Sequence, residues 1–115
     1  MTSVFTTNEA NLVPGVYIDR SGSITSGGTS QALMAANSAR RRLVIQNPGS
    51  STSQGIVAAE SLFINFSGPA SSSKGNSIEL LSGGSYDSDS GPCTTEQINV
   101  VAVTTGHQYF AKEMP

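Results

Sequence analysis

The apolar residues of this chain come in short runs, each cut off by Gly, Pro, Ser or Asn, and that punctuation most constrains the fold. Leu43-Val44-Ile45 stops at Pro48-Gly49-Ser50-Ser51, Leu62-Phe63-Ile64-Asn65-Phe66 at Ser67-Gly68-Pro69, and Ile78-Glu79-Leu80-Leu81 at Ser82-Gly83-Gly84. Runs this short, rich in β-branched and aromatic residues and bounded by turn formers, read as strands. Side chains alternate across a strand. Leu62, Ile64 and Phe66 therefore share one face and Phe63 and Asn65 the other. The same alternation pairs Leu43 and Ile45 with Arg41, and puts Arg40, Arg42, Val44 and Gln46 on the opposite face.

The remaining segments fit this pattern with less definition. Leu12 to Ile18, interrupted by Pro14-Gly15, suits a short strand or bulge, and Ser26-Gly27-Gly28 is a turn. Gln31-Ala32-Leu33-Met34-Ala35-Ala36-Asn37 contains good helix formers, yet its seven residues equally suit an extended segment with Ala32, Met34 and Ala36 on one side. Tyr86 opens a polar turn over Asp87-Ser88-Asp89-Ser90-Gly91-Pro92. Gln97 to Val103 and Gln108 to Lys112, separated by Thr104-Thr105-Gly106-His107, read as a hairpin with a glycine-containing loop. Many short strands without βαβ alternation predict an all-β, single-domain protein: an antiparallel β-sandwich, jelly roll or small β-barrel over residues 12–115. Residues 1–11 lack apolar periodicity and read as a flexible N-terminal tail, with Val4 and Phe5 as anchors onto a partner.

Composition narrows the function classes. A chain of 115 residues buries about two-thirds of its unfolded surface, enough for one core. Its single cysteine, Cys93, rules out an intrachain disulfide and a multi-cysteine metal site, so stability must come from packing, hydrogen bonds or association. A net charge of −2 opposes general nucleic-acid binding, which needs a basic stripe. No apolar run reaches the 18 or so residues of a membrane-spanning helix, and Met1-Thr2-Ser3-Val4-Phe5 lacks the basic start and apolar region of a signal peptide, so synthesis in the cytoplasm is the expectation.

Against this sparse charge, 12% of residues, Arg40-Arg41-Arg42 is conspicuous, because it holds half of the six basic residues. The planar guanidinium groups suit carboxylates on a protein partner. The competing reading is a solvated strand start that discourages edge-to-edge aggregation. Asp87-Ser88-Asp89-Ser90-Gly91 begins like a calcium loop but lacks the remaining ligands, so a turn capped by its aspartates is the better reading. Cys93 and His107 form a nucleophile and base pair only on paper; a small apolar cysteine and a turn histidine account for them. Asn65-Phe66-Ser67 matches a glycosylation acceptor but sits inside the strongest strand. Tyr17, Tyr86 and Tyr109 fit core or interface packing better than a sugar-stacking platform.

The landmarks also follow a particular order. Ser23-Ile24-Thr25-Ser26-Gly27-Gly28-Thr29-Ser30-Gln31 precedes Asn37 to Pro48 and Leu62 to Phe66; Ser77 to Gly84, Gly91-Pro92-Cys93-Thr94-Thr95 and Ile98 to Glu113 follow. This series, over about residues 20–113, resembles small β-rich structural proteins of tailed bacteriophages, the capsid decoration, cement or fibre-associated proteins. At position 93 the family pattern prefers a small aliphatic residue, so Cys93 stands as a buried substitute.

The resemblance implies a non-enzymatic virion protein on the capsid exterior, made in the host cytoplasm, with no catalytic residue, metal or cofactor. Its implied partners are the major capsid protein and further copies of itself, as a trimer or dimer, with neither nucleic acid nor membrane. The rival reading is a fibre or head-spike component that recognises a host surface glycan or connects to a receptor-binding protein. The contact residues expected are Arg40, Arg41, Arg42, Val4 and Phe5. Charge reversal across Arg40 to Arg42 is expected to weaken particle binding while leaving the isolated fold intact.

Overall fold

A computed structural model describes residues 16–49, 51–52, 55–56, 59–73, 75–88 and 93–115. Among these, every regular element is a strand: β1 (Ile18–Asp19), β2 (Gly22–Ser23), β3 (Gln31–Met34), β4 (Arg42–Gln46), β5 (Ser51–Thr52), β6 (Gly55–Ile56), β7 (Leu62–Asn65), β8 (Ile78–Leu80), β9 (Ser85–Asp87), β10 (Ile98–Val101) and β11 (Gln108–Met114). They form two antiparallel sheets and a small β5–β6 ribbon.

The first sheet runs β1-β11-β4-β9, with β2 pairing the start of β11. β1 and β2 together make one interrupted edge. Gly22 and Ser23 lie opposite Tyr109 and Gln108, while Ile18 and Asp19 lie opposite Glu113 and Lys112. At the interruption, the Arg20 amide donates to the Ala111 carbonyl, and the Ser21 hydroxyl accepts from the Ala111 amide at 3.0 Å. A side chain thus replaces the missing ladder partner, which keeps buried backbone groups paired. The second sheet runs β3-β10-β7-β8.

The sheets face each other across a core to which the first contributes Leu43, Ile45, Tyr109 and Ala111, and the second Leu33, Leu62, Ile64, Leu80, Ile98 and Val100. Burial of each large aliphatic side chain contributes about 1.5–3 kcal/mol. The alternation predicted for Leu43 and Ile45, and for Leu62 and Ile64, is the one observed. Phe66, just past β7, is half-buried and packs edge-on against Tyr86 with ring centroids 5.1 Å apart.

The structure corrects several sequence expectations. Gln31–Met34 takes the extended of its two readings, but Leu33 and Met34, expected on opposite faces, are both buried where the β3–β10 pairing shifts register between Ile98 and Asn99. Tyr86 lies inside a strand, opposite Ile45. The expected hairpin of Gln97–Val103 and Gln108–Lys112 does not form, because β10 and β11 belong to different sheets. The β2–β3 connection intervenes: Gly28 N donates to Ala102 O, Gly106 N to Ile24 O, and Ile24 N to His107 O. Gly27 permits this approach, since a Cβ there would stand 2.1 Å from the Val103 carbonyl oxygen.

Candidate functional site

The inward-facing positions of three strands continue past the apolar core into polar side chains. In β4 the series is Leu43, Ile45, Asn47; toward β7 it is Glu60, Leu62, Ile64; along β11 it is His107, Tyr109, Ala111, Glu113. The β4–β11 ladder therefore ends in a buried polar cluster at each extremity.

At one extremity Arg40 departs from the alternation that assigned it to the outer face. β4 begins only at Arg42, and the turn before it, closed by the Arg40 amide on Asn37 O, aims the Arg40 side chain inward, where it is fully enclosed. Its Nε donates to Glu113 Oε1 at 2.7 Å, its Nη1 to the carbonyls of Thr94 and Glu96, and its Nη2 to that of Ala35. Glu113 also accepts from Arg20 Nε at 2.8 Å and Asn37 Nδ2 at 3.1 Å. Burial opposes the charge on Glu113, yet the bonds from Arg40, Arg20 and Asn37, with the attraction of Arg40, outweigh it and hold the carboxyl below its ordinary value.

At the other extremity the His107 side chain is completely buried. Its Nδ1 lies 2.9 Å from Glu60 Oε2 and its Nε2 2.9 Å from Asn47 Oδ1. Asn47 donates through Nδ2 to the carbonyls of Glu60 and Leu80 and accepts at Oδ1 from the Gly49 amide. Thr104 donates twice to the Glu60 carboxylate, from its hydroxyl at 2.6 Å and its amide at 3.0 Å. Burial again opposes the Glu60 charge, and the bonds from Thr104 and His107 override it, so this carboxyl too lies below its ordinary value.

The accessible arginines collect at the Arg40 extremity. Arg41 is exposed, with its amide on Met114 O and its Nε on Pro115 O at 3.1 Å. Arg42 stands half-exposed opposite Met114, 3.7 Å from Asp87. Arg20 is likewise part-exposed beside Glu113. Of the three adjacent arginines, then, one is enclosed and two present charge outward. Charge reversal at Arg40 would set a second carboxylate against Glu113, so the expectation of an intact fold on reversing all three is corrected for that position.

Val4, Phe5 and the tail 1–11 lie outside the described residues, as do Asp89 to Gly91 of the acidic turn. Cys93 and His107 do not form a pair. Half-buried Cys93 donates weakly from Sγ to Thr94 O, beside the Arg40 cluster, whereas both ring nitrogens of His107 are taken at the opposite extremity. His107 is a buried group, not the turn residue expected. Asn65 is buried with its Nδ2 on Pro69 O, which withdraws that nitrogen from a glycosylating enzyme. Tyr109 is buried, Tyr86 packs against the core and Tyr17 is exposed. Among the described residues no three His, Cys, Asp or Glu side chains gather as metal ligands do.

Sequence reasoning missed Glu60, Asn47, Thr104 and Glu113. A signal for three of them was present: each occupies an inward phase of a strand, where a polar group needs a buried partner. No family model, curated protein or solved structure matches this chain.

Proposed function

We propose that the chain is a non-enzymatic structural protein of a tailed-bacteriophage virion: a jelly-roll decoration or cement protein that binds the major capsid protein on the outer head surface and reinforces contacts between neighbouring subunits. The observation that carries this reading is the strand order. With β1 and β2 counted as one strand and the β5–β6 ribbon set aside, β1/β2-β11-β4-β9 faces β3-β10-β7-β8, and every link except β7–β8 crosses between the sheets. That alternation supports a reading as two interlocked Greek keys, an architecture of viral capsid and lectin domains. A fold alone carries no function. The ordered motifs over residues 20–113 supply the tie to phage structural proteins.

The contact surface in this reading is the end of the sandwich where β4 begins and β11 finishes. Arg41 and Arg42 reach outward there on a backbone anchored by the Arg40–Glu113 pair. Their guanidinium groups would meet carboxylates of the shell, and a dimer or trimer would multiply modest contacts through avidity.

The test is cosedimentation of the full chain with capsid shells lacking it. Stoichiometric occupancy is expected for the wild type, with a clear loss for the pair Arg41→Glu and Arg42→Glu at unchanged circular dichroism. Wild-type occupancy by that double variant would remove the arginines from the contact, and failure of the wild type to bind shells would remove the decoration role. Deleting residues 1–11 is expected to lower occupancy if Val4 and Phe5 anchor the tail.

A further inference from the structure

The two outer faces of the sandwich are finished differently. That of the second sheet is roofed by its own chain. Past β7, residues 68–70 cross it: Gly68 O accepts from Asn99 Nδ2 at 2.7 Å, Pro69 O accepts from Asn65 Nδ2 at 2.8 Å, and the Ala70 amide donates to Ser30 Oγ at 2.9 Å. Ala70 is buried, and so is Val101, which alternates away from the core residue Val100. The outer face of the first sheet has no such roof among the described residues. Val44, Phe110 and Met114 are half-buried there, and Tyr17, immediately before β1 and on the same alternation as Asp19, is 42% exposed.

The charges on this face decide what fits it. Asp19 and Lys112 are register partners on neighbouring strands, with Oδ1 and Nζ 3.6 Å apart, and their side chains keep 64% and 34% of their exposure. Because Ile18 pairs with Glu113, Tyr17 falls beside Met114 in the adjacent outward row. A two-fold axis laid along the strands, between β1 and β11, exchanges the members of each row. It sets Asp19 against the second copy's Lys112 and Tyr17 against the second copy's Met114, and each of these contacts occurs twice. That reciprocity is what an isologous interface requires. The four charges then alternate in sign, with each carboxylate between two ammonium groups.

We propose that the outward side of β1 and β11 is a homodimer surface, and that its occupant is a second copy of the chain related by that axis. Tyrosine and methionine are among the residue types enriched at protein interfaces. Two neighbouring strands bury less than the roughly 1,200 Å² of a stable interface, so the dimer is weak and depends on concentration. It does not rest on the capsid reading, and Arg42, on β4, lies outside the exchanged rows.

Sedimentation of the full chain tests the surface. The mass should rise from monomer toward dimer as concentration approaches about 1 mM, the range of weak contacts. Lys112→Asp and Asp19→Lys each set like charges across the axis and should weaken association at least about tenfold, whereas the double swap restores opposite charges and should recover it. Tyr17→Ser, at an exposed side chain outside the strands, should also weaken it, and serves where circular dichroism shows that a charge variant has disturbed the fold. A wild type that stays monomeric to about 1 mM overturns the inference. So does a trimer, since two-fold closure stops at two. Single-charge variants that associate like the wild type, or a swap without recovery, overturn it as well. Loss of shell cosedimentation by Lys112→Asp beside a monomeric wild type would give this face to the shell instead, while the capsid reading itself fails only if the wild type does not bind shells.

Discussion

The two ends of the β4–β11 ladder solve the same problem with different chemistry. Each must bury polar groups where the apolar core runs out, and each does so around a carboxylate: Glu113 with Arg40 at one end, Glu60 with His107 at the other. Guanidinium remains charged at every pH a protein experiences, and its fork reaches several acceptors at once. Arg40 therefore ties the β3–β4 and β9–β10 connections to β11 through three carbonyls and one carboxylate. Imidazole has only two nitrogens and can lose a proton. The arginine end is consequently joined to four acceptors through one side chain, whereas the histidine end needs Asn47 and Thr104 to complete its network.

This contrast can be broken by substitution. The largest effect is expected from Arg40→Leu, which strands three carbonyls and weakens the support of a buried carboxylate; breaking such a pair costs about 3–5 kcal/mol. Chemical denaturation measures it, and a loss no greater than that of Arg42→Ala would show that the enclosed guanidinium braces nothing. Asn47→Ala should follow. It leaves the Leu80 and Glu60 carbonyls and one His107 nitrogen without their partner, at about 1–3 kcal/mol for a buried group left unsatisfied.

Acid should weaken both ends together. Glu60 and Glu113 titrate below the ordinary 4.5 when folded, so the folded chain binds fewer protons than the unfolded chain in that range. The stability they contribute is present above pH 4.5 and is lost as pH falls from there through their lower folded values. Denaturation midpoints below pH 5 should decline less steeply in Glu60→Gln and in Glu113→Gln than in the wild type; an unchanged slope in either would detach that carboxylate from its cluster. The smallest effect is expected from Arg42→Ala. Its ion pair with Asp87 is half-exposed at 3.7 Å, a class of contact worth about 0–1 kcal/mol, so a loss above that range would mean Arg42 braces the sheet as Arg40 does.

Much of the architecture was legible in short apolar runs and their turns. Leu43, Ile45, Leu62 and Ile64 announced their inward faces because strand alternation is local, set by backbone geometry within a few residues. The hairpin reading of β10 and β11 failed because a glycine loop between two strands looks the same whether the chain turns back within a sheet or crosses to the other. Here the choice was made by residues 24–28, distant in sequence, which take the hydrogen bonds at Ala102, Gly106 and His107. Alternation likewise misplaced two of the three arginines, setting Arg41 with Leu43 and Ile45 and Arg40 on the opposite face, because the strand begins only at Arg42 and residue type says nothing of where a strand begins.

What the chain alone specified was a set of strands, their two faces and the scarcity of charge. Which arginine is enclosed, which sheet each strand joins, and the meeting of Glu60, Asn47 and His107 came only with the packed sandwich. The physical reason is range. Alternation and turn chemistry act between neighbours, whereas a buried charge finds its partner 73 residues away, as Arg40 finds Glu113, only after the sheets have closed around both.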